Sequence, residues 1–234
     1  MAHEREPHDS GLAERLNWLR AGVLGANDGI VSVAGLVVGV AGATPDRLTV
    51  LTAGVAALVA GALSMAGGEY VSVSTQRDTE RAALDLERHE LSTMPEAEER
   101  ELAEIYEEKG LSPDLAARVA RELTEGDALR AHAEAELQID PDNLTSPLQA
   151  AWASFLAFCA GGLLPLVVIT FPSTGLRVLA CGIAVVVGLA LTGVISARLG
   201  NAPPARAVLR NVAVGVTTMV ITYFVGVLFG SAVR

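Results

Sequence analysis

The chain has 234 residues, of which 51% are hydrophobic and only 4% aromatic, and it contains 23 glycines. So much apolar surface is unusual for a soluble domain of this length, whereas many small residues suit helices that pack closely in lipid. The net charge of −10 argues against nucleic acid as a partner, because nucleic acid binds basic surfaces.

The first 20 residues are polar and contain no short apolar core followed by a small-residue cleavage site, so we expect no cleaved signal peptide. A helix needs about 20 apolar residues to cross a bilayer. Five runs along the chain meet that length: 21–43, 48–73, 150–171, 175–196 and 207–229. Pro45, Pro172 and the Pro203-Pro204 pair separate neighbouring runs, as expected where helices stop and turn.

The basic residues predict the orientation of these runs. Of the 17 Lys and Arg residues, all but three lie in residues 1–20, in residues 77–130 or in the turn at 198–210. Because basic segments are retained in the cytoplasm, we expect all three segments there and the C-terminus on the opposite side.

Between Asp78 and Ile139 the sequence becomes polar and rich in Ala, Leu and Glu, with helical periodicity. Breaks at Met94-Pro95, at residues 110–113 and near Gly126 predict a compact domain of three or four helices. Neither Pro nor Gly separates Val73 from this domain, so we expect the second membrane helix to continue into it.

Asp28 lies inside the first apolar run, where a carboxylate is costly enough to be a functional candidate. Gly25 and Gly29 have the spacing that lets another helix approach, which predicts that Asp28 faces a helix interface rather than lipid. The structural alternative is a carboxylate satisfied by Asn27 or by a serine on a neighbouring helix.

Met65 and Glu69 lie one helical turn apart in the second run and therefore share a face. A thioether is a soft donor that Mg²⁺ and Ca²⁺ do not favour, so Met65 beside carboxylates indicates a late first-row metal. Taken alone, Met65 is explained more simply by packing. Packing also explains Cys159 and Cys181, which lie in apolar runs, better than a disulfide or a metal site does.

The polar domain carries acidic residues at spacings that place them on common helix faces. They are Glu87 with Glu90, Glu98 with Glu101, and a later group of His132, Glu134 and Glu136. Carboxylates that converge from several helices can bind divalent ions, as in carboxylate-bridged bundles. From spacing alone, a solvated acidic face is the simpler interpretation.

Four segments together resemble those of a known family. They read GANDGIVS at 25–32, SMAGGEYVSVS at 64–74, QRD at 76–78 and GGLLPL at 161–166. By this combination the chain is identified as a member of the vacuolar iron transporter family. Its short tail and its Ala-, Arg- and Gly-rich composition resemble a bacterial type. The resemblance extends from Leu16 to Gly230.

The resemblance implies a five-span homodimer that exchanges Fe²⁺ for protons, with a metal path at the two-fold interface. It matches Asp28 and Met65 to ligands of that path, and Glu69 to the same motif. It matches the carboxylates of the metal-binding domain to Glu87, Glu90, Glu98, Glu101 and Glu136. This chain offers His132 where the family often has a methionine, and His can bind iron, zinc or cobalt. Whether His132 or Glu134 is the ligand stays open.

The predicted fold is therefore all-α, an integral membrane protein with five transmembrane helices and a cytoplasmic helical metal-binding domain inserted between the second and third. The predicted parts are a cytoplasmic tail at 1–15, helices one and two at 16–77, the metal-binding domain at 78–146 and helices three to five at 147–234.

The resemblance implies a transporter rather than an enzyme, which exports Fe²⁺ from the cytoplasm, or else Mn²⁺, Co²⁺, Ni²⁺ or Zn²⁺. The expected partners are these ions, protons, the lipid bilayer and a second copy of the chain, without an organic cofactor. The expected location is a bacterial plasma membrane, with the N-terminus cytoplasmic. The alternative is a membrane-anchored metal sensor or an iron-storage, ferroxidase-like protein, although the sequence lacks the Glu-x-x-His motif of di-iron carboxylate sites.

Overall fold

The computed structural model describes the backbone of residues 11–232 and the side chains of residues 21–232. Within that part of the chain every regular element is a helix and no strand is present. The prediction of an all-α protein is confirmed. Of the predicted tail at 1–15, residues 1–10 lie outside the described residues.

Seven α-helices and one π-helical turn make up the regular structure of the described residues. They are α1 Gly11–Ala43, α2 Arg47–Thr93, α3 Pro95–Glu108, α4 Pro113–His132, the π turn Ala133–Leu137, α5 Pro147–Thr170, α6 Arg177–Leu199 and α7 Pro204–Ala232. Four of the α-helices begin with proline, which suits a position whose N–H has no intrahelical partner. The predicted breaks at 94–95 and 110–113 separate α2, α3 and α4 as expected.

The described chain forms two compact units. One consists of residues 11–70 and 147–232, and we call it the apolar unit. The other consists of residues 71–146, and we call it the acidic unit. Helix α2 contributes residues to both, and the insertion predicted at 78–146 falls inside the acidic unit.

In the apolar unit, α1, α2, α5, α6 and α7 are long and apolar enough to cross a membrane, judged by length and composition. Helix α1 contacts α5, α6 and α7. Its Val33 and Val37 are fully buried with Val185 and Leu189 of α6. The outward faces carry many exposed Leu, Val, Ile and Phe side chains. An exposed apolar surface of this extent suits lipid rather than water.

Glycines allow the backbones of α1, α5 and α7 to touch. A Cβ atom added at Gly29 would overlap the carbonyl of Phe158 on α5, and one added at Gly226 on α7 would overlap the carbonyl of Gly39. Only glycine fits at such contacts, because any side chain would push the two helices apart.

Two arginines hold the ends of α1 and α5. Arg177, at the start of α6, is 2% exposed and donates hydrogen bonds to three backbone carbonyls in the last turn of α1 and just after it, the shortest at 2.7 Å to Thr44. Arg47, at the start of α2, donates to the carbonyl of Pro172 just after α5, at 2.9 Å. These donors satisfy carbonyls that a helix end leaves without a backbone partner.

In the acidic unit, α3 and α4 pack around a small core of Leu102, Ala120 and Ala131. The break predicted near Gly126 takes the form of a kink inside α4, where Asp127 has non-helical dihedral angles (φ −149°, ψ 92°). The side chain of Asp127 accepts a hydrogen bond from the backbone N–H of Arg130 at 3.0 Å, the arrangement of a helix N-cap. Residues 128–137 therefore form a short helical segment of their own.

Candidate metal centres

Three buried side chains converge in the acidic unit. Glu87 lies on α2, Glu98 on α3 and His132 at the end of α4, and one ligand atom of each lies within 4.8 Å of the others. The two glutamates are 4% exposed and the histidine is not exposed at all. Carboxylate and imidazole together form a donor set that suits divalent first-row metals.

A fourth side chain, Glu136 of the π turn, completes this group. The Nδ1 atom of His132 lies 3.0 Å from Glu87 Oε1, 3.7 Å from Glu136 Oε2 and 3.8 Å from Glu98 Oε2. The side chain of Glu136 is 33% exposed, so this residue borders the solvent. We call Glu87, Glu98, His132 and Glu136 the acidic cluster.

The electrostatics of the acidic cluster favour a cation. Burial, together with the negative charges of the surrounding glutamates, Glu136 foremost, raises the pKa of Glu87 from 4.5 to about 7. Burial and the neighbouring Glu101 also raise the pKa of Glu98, and His132 partly opposes that rise. Carboxylates that are held together in this way repel one another, and a divalent cation between them would remove the repulsion.

Several atoms of the acidic cluster are buried without a hydrogen-bond partner in the described part of the chain. They are Oε1 of Glu87 and both ring nitrogens of His132. Although Glu87 Oε1 and His132 Nδ1 are only 3.0 Å apart, they are not aligned as a hydrogen bond. A buried polar atom without a partner costs roughly 1–3 kcal/mol, so a metal ion that bonds to these atoms would stabilise the unit. The donor set therefore fits a metal.

Because the pKa of Glu87 is raised, we expect the affinity for a metal to decrease as the pH is lowered. The metal binds the ionised carboxylate. Because the pKa of Glu87 is about 7, the metal must displace a proton when the pH is below that value. For one competing proton we expect the apparent dissociation constant for Co²⁺ to rise about tenfold between pH 8 and pH 6. Isothermal titration of the full-length protein in detergent measures this change. In the Glu87→Gln variant this pH step should disappear, and a wild-type affinity that stays constant over this range would contradict the prediction.

A second group of candidate ligands lies in the apolar unit. Asp28 of α1 and Met65 and Glu69 of α2 line one open groove with a volume of about 430 Å³. Phe158 and Gly68 also line it, and a Cβ atom added at Gly68 would meet nothing within 4 Å. The groove therefore brings a carboxylate of α1 to the same space as the thioether and carboxylate of α2. We call it the Asp28 groove.

The contacts of Asp28 differ from the structural alternative raised by the sequence. Its Oδ1 atom accepts a hydrogen bond from the hydroxyl of Ser32, one turn along the same helix, at 2.7 Å. Asn27 points elsewhere and lies 3.5 Å from the hydroxyl of Thr192 on α6. Asp28 is only half-buried, and with one hydroxyl donor its carboxylate keeps acceptor capacity for a cation.

A comparison with protein families decides the classification. The model described as VIT family matches residues 19–227, which is most of the chain and includes both groups of candidate ligands. The chain belongs to the VIT family.

Curated relatives resemble this VIT-family chain over almost its whole length. A vacuolar iron transporter of Acanthamoeba castellanii is 43% identical over 97% of the chain and 84% of the relative. Vacuolar iron transporter homolog 1 of rice, Oryza sativa subsp. japonica, is 38% identical over 97% and 81%. Vacuolar iron transporter homolog 2 of Arabidopsis thaliana is 35% identical over 97% and 92%. These relatives come from an amoeba and plants, so the prediction of a bacterial type is not borne out.

The family and the apolar helices together identify the VIT-family chain as a multi-pass membrane protein. Both free cysteines lie in its apolar unit, where Cys181 is buried in the core and Cys159 packs against it. The structure thus places them as small apolar side chains.

The structure separates the acidic candidates of this VIT-family chain into two groups. His132 joins the acidic cluster, whereas Glu134 is exposed and pairs with Arg130 at 2.8 Å. Glu90 is partly exposed and Glu101 exposed, and both act on Glu87 through their charge. Of these two residues, His132 is the one that lies among the carboxylates, and its role as a ligand stays a prediction.

Sequence reasoning missed residues that shape the two sites. Ser32 lies in the segment that carried the family resemblance, and its spacing of four from Asp28 could have indicated the hydrogen bond. Ser64 lines the Asp28 groove one residue before Met65. Lys109 binds the backbone of the π turn, a contact between distant parts of the chain that no local pattern indicates.

Proposed function

We propose that this VIT-family protein is a transporter that exports Fe²⁺ from the cytoplasm while protons move in the opposite direction. The observation that carries the proposal is the presence of two separate donor sets in one chain. One is the acidic cluster with its unsatisfied buried atoms, and the other is the Asp28 groove among apolar helices. A metal sensor or an iron-storage protein would need the first set but has no use for the second. The names of the relatives support iron as the substrate.

In the proposed topology the five apolar helices cross the bilayer and the N-terminus is cytoplasmic. Residues 1–15 are the cytoplasmic tail, 16–77 contain the first two spans and 147–234 the last three. Residues 78–146 form the cytoplasmic metal-binding domain between the second and third spans. The distribution of Lys and Arg supports this orientation, because basic residues concentrate in the segments assigned to the cytoplasm.

We further propose a homodimer in which the Asp28 groove faces a second copy of the chain. The groove is open, and Asp28 is only half-buried within one chain. In a bilayer the open side would expose a carboxylate to hydrocarbon, which is strongly unfavourable. A second copy would cover it and would place two sets of ligands on opposite walls of one path.

The two donor sets have different roles in this proposal. The acidic cluster, with Glu90 and Glu101 at its border, gathers the ion in the cytoplasm. Asp28 and Met65, helped by Glu69, bind it within the membrane. The thioether and imidazole donors favour Fe²⁺ over Mg²⁺ and Ca²⁺, and they make Mn²⁺, Co²⁺, Ni²⁺ and Zn²⁺ the competing substrates to test. No organic cofactor takes part.

Proton coupling follows from competition for the same oxygen atoms. A proton that binds Asp28 or Glu69 from the far side of the membrane removes the negative charge that holds the cation, and the cation leaves. When the carboxylate loses the proton to the cytoplasm, it can bind the next ion. Proton and metal therefore compete for the same carboxylate, and this competition is the basis of the proposed coupling.

The proposal concerns export from the cytoplasm across whichever membrane holds the chain. A bacterial plasma membrane is the expectation from the sequence, and a vacuolar membrane is the one named in the relatives. In either membrane, the proposed topology has the acidic unit in the cytoplasm.

Reconstitution in proteoliposomes tests the function. With the purified protein and an imposed pH gradient, we expect Fe²⁺ uptake together with proton movement in the opposite direction, both absent from empty vesicles. Mn²⁺ and Co²⁺ should compete with Fe²⁺, whereas Mg²⁺ should not. Metal binding without flux would favour a sensor, and oxygen consumption with oxidation of Fe²⁺ would favour a ferroxidase-like protein.

A further inference from the structure

The acidic cluster depends on a short segment that is set apart from the rest of α4. Residues 128–137 begin after the non-helical Asp127 and end at Gln138, which has a left-handed conformation (φ 55°). This segment carries His132 and Glu136, two of the four residues of the cluster. Its position therefore decides whether these side chains meet Glu87 and Glu98, which lie on other helices.

The second half of this segment is the π turn, a wider winding that is rare and occurs mostly as single turns at functional sites. At the end of any helix the last carbonyls lack backbone donors. Here the carbonyl of Ala133 accepts a hydrogen bond from the N–H of Ile139 at 2.8 Å. The carbonyl of Ala135 instead accepts one from a side chain, the ammonium group of Lys109, at 3.1 Å.

Lys109 is well placed to fix the π turn. It is the single lysine of the chain and lies directly after α3. Its Nζ atom is 5.0 Å from the centre of the Tyr106 ring, whose side chain packs against the core of the acidic unit. A cation over an aromatic face is attracted to it, so the Tyr106 ring helps to hold the ammonium group where it binds the carbonyl.

The carbonyl of Ala135 and the N–H of Glu136 belong to the same planar peptide group. A bond that fixes this carbonyl therefore also fixes the N and Cα atoms of Glu136, from which its side chain starts. We propose that Lys109 is a positioning residue for the acidic cluster: by holding the carbonyl of Ala135, it orients Glu136 toward His132 and the two buried glutamates. The proposal rests on the metal-binding role of the cluster proposed above, and Lys109 itself does not touch the metal.

The test compares two variants of Lys109 with a matched control in the full-length protein in detergent. Lys109→Met removes the ammonium group and keeps an unbranched side chain, and Lys109→Arg keeps a cationic donor. The control is Arg121→Gln, because Arg121 also joins α4 to α3, through an exposed ion pair with Glu99 at 3.3 Å, without contacting the π turn. Co²⁺ is the probe, and its affinity and visible absorption spectrum are measured with the Tm of each variant.

We expect Lys109→Met to weaken Co²⁺ binding about tenfold, as is usual when a residue that orients a metal ligand is removed. The Co²⁺ spectrum should change, because the Glu136 carboxylate no longer reaches the ion. Lys109→Arg should restore most of the affinity. Arg121→Gln should leave affinity and spectrum unchanged even where its Tm falls as much as that of Lys109→Met.

A double variant shows whether Lys109 acts through Glu136. If it does, Lys109→Met together with Glu136→Gln binds Co²⁺ no more weakly than Glu136→Gln alone. Unchanged affinity and spectrum in Lys109→Met would overturn the proposal, and so would equal losses in Lys109→Met and Arg121→Gln.

If Glu87→Gln with Glu98→Gln leaves Co²⁺ binding intact, the cluster is not the metal site, and the proposed function fails together with this inference. A loss there with no effect at Lys109 overturns the inference alone.

Discussion

Replacing Asp28 by asparagine is expected to reduce Fe²⁺ transport to the level of empty vesicles while metal binding at the acidic cluster persists. Asparagine keeps the size of the side chain but removes its charge, and a cation that has lost its hydration shell then lacks a compensating negative group. Losing one partner of a buried charge pair costs about 3 kcal/mol or more, which corresponds to roughly 100-fold in binding. Uptake of Fe²⁺ into proteoliposomes and Co²⁺ titration in detergent measure the two effects separately.

The matched control is Asp114→Asn, the same chemical change at an exposed position in the first turn of α4. This variant should transport at the wild-type rate. Proton-coupled uptake that persists in Asp28→Asn would remove Asp28 from the path. A parallel loss of Co²⁺ binding at the acidic cluster would instead indicate that the variant is misfolded.

The second large effect is expected from the two buried glutamates. The double variant Glu87→Gln, Glu98→Gln should weaken Co²⁺ binding by at least about 100-fold, because loss of a residue that merely orients a ligand already costs roughly 10–100-fold. The matched pair Glu90→Gln, Glu101→Gln removes the same charge from more exposed positions. Its effect should stay within about fivefold, since exposed charges contribute little. Equal losses in the two double variants would contradict the assignment of ligands.

Glu87→Gln should weaken metal binding, but it should stabilise the metal-free protein. The pKa of Glu87 is raised from 4.5 to about 7, so its stabilising contribution is present below pH 4.5 and is lost as the pH rises through about 7. Glutamine carries no charge at any of these pH values. Glu87→Gln should therefore raise the Tm of the metal-free protein above pH 7 and change it little near pH 4.5. A lower Tm at pH 8 would show that Glu87 stabilises the fold without metal.

The helices could be predicted from the sequence because proline and apolar length determine them locally. Pro95, Pro113, Pro147 and Pro204 start helices near the positions predicted from the sequence. The spacing of Gly25 and Gly29 predicted close packing of α1 but not its partner. The structure shows that the partner at these glycines is α5, whereas Asp28 lies in a groove with α2.

The acidic cluster could be predicted only in part. Spacing placed Glu87 with Glu90 and Glu98 with Glu101 on common helix faces, but it could not show that the first of each pair is buried and the second is more exposed. That difference arises from the packing of α2, α3 and α4, which is a tertiary property. His132 drew attention by its chemistry, and its burial among three carboxylates distinguishes it from the exposed Glu134.

The segment that positions His132 and Glu136 could not be predicted. Gly126 indicated a break, but the N-cap at Asp127 and the π turn both depend on contacts made after the chain has folded. Such winding has no sequence period of its own, because one extra residue is inserted into an otherwise ordinary helix.

The arginines at the ends of α1 and α5 constrain how the apolar unit can change shape. Arg177 is almost fully buried, and its guanidinium group donates to three carbonyls at the end of α1 and in the connection between α1 and α2. Arg47 at the start of α2 donates in turn to a carbonyl in the connection between α5 and α6. Separating these two connections would leave the buried guanidinium group of Arg177 without hydrogen-bond acceptors, which is unfavourable. On this side of the apolar unit the two connections are therefore joined by hydrogen bonds, and a change of shape that keeps these bonds would separate the helices at their opposite ends.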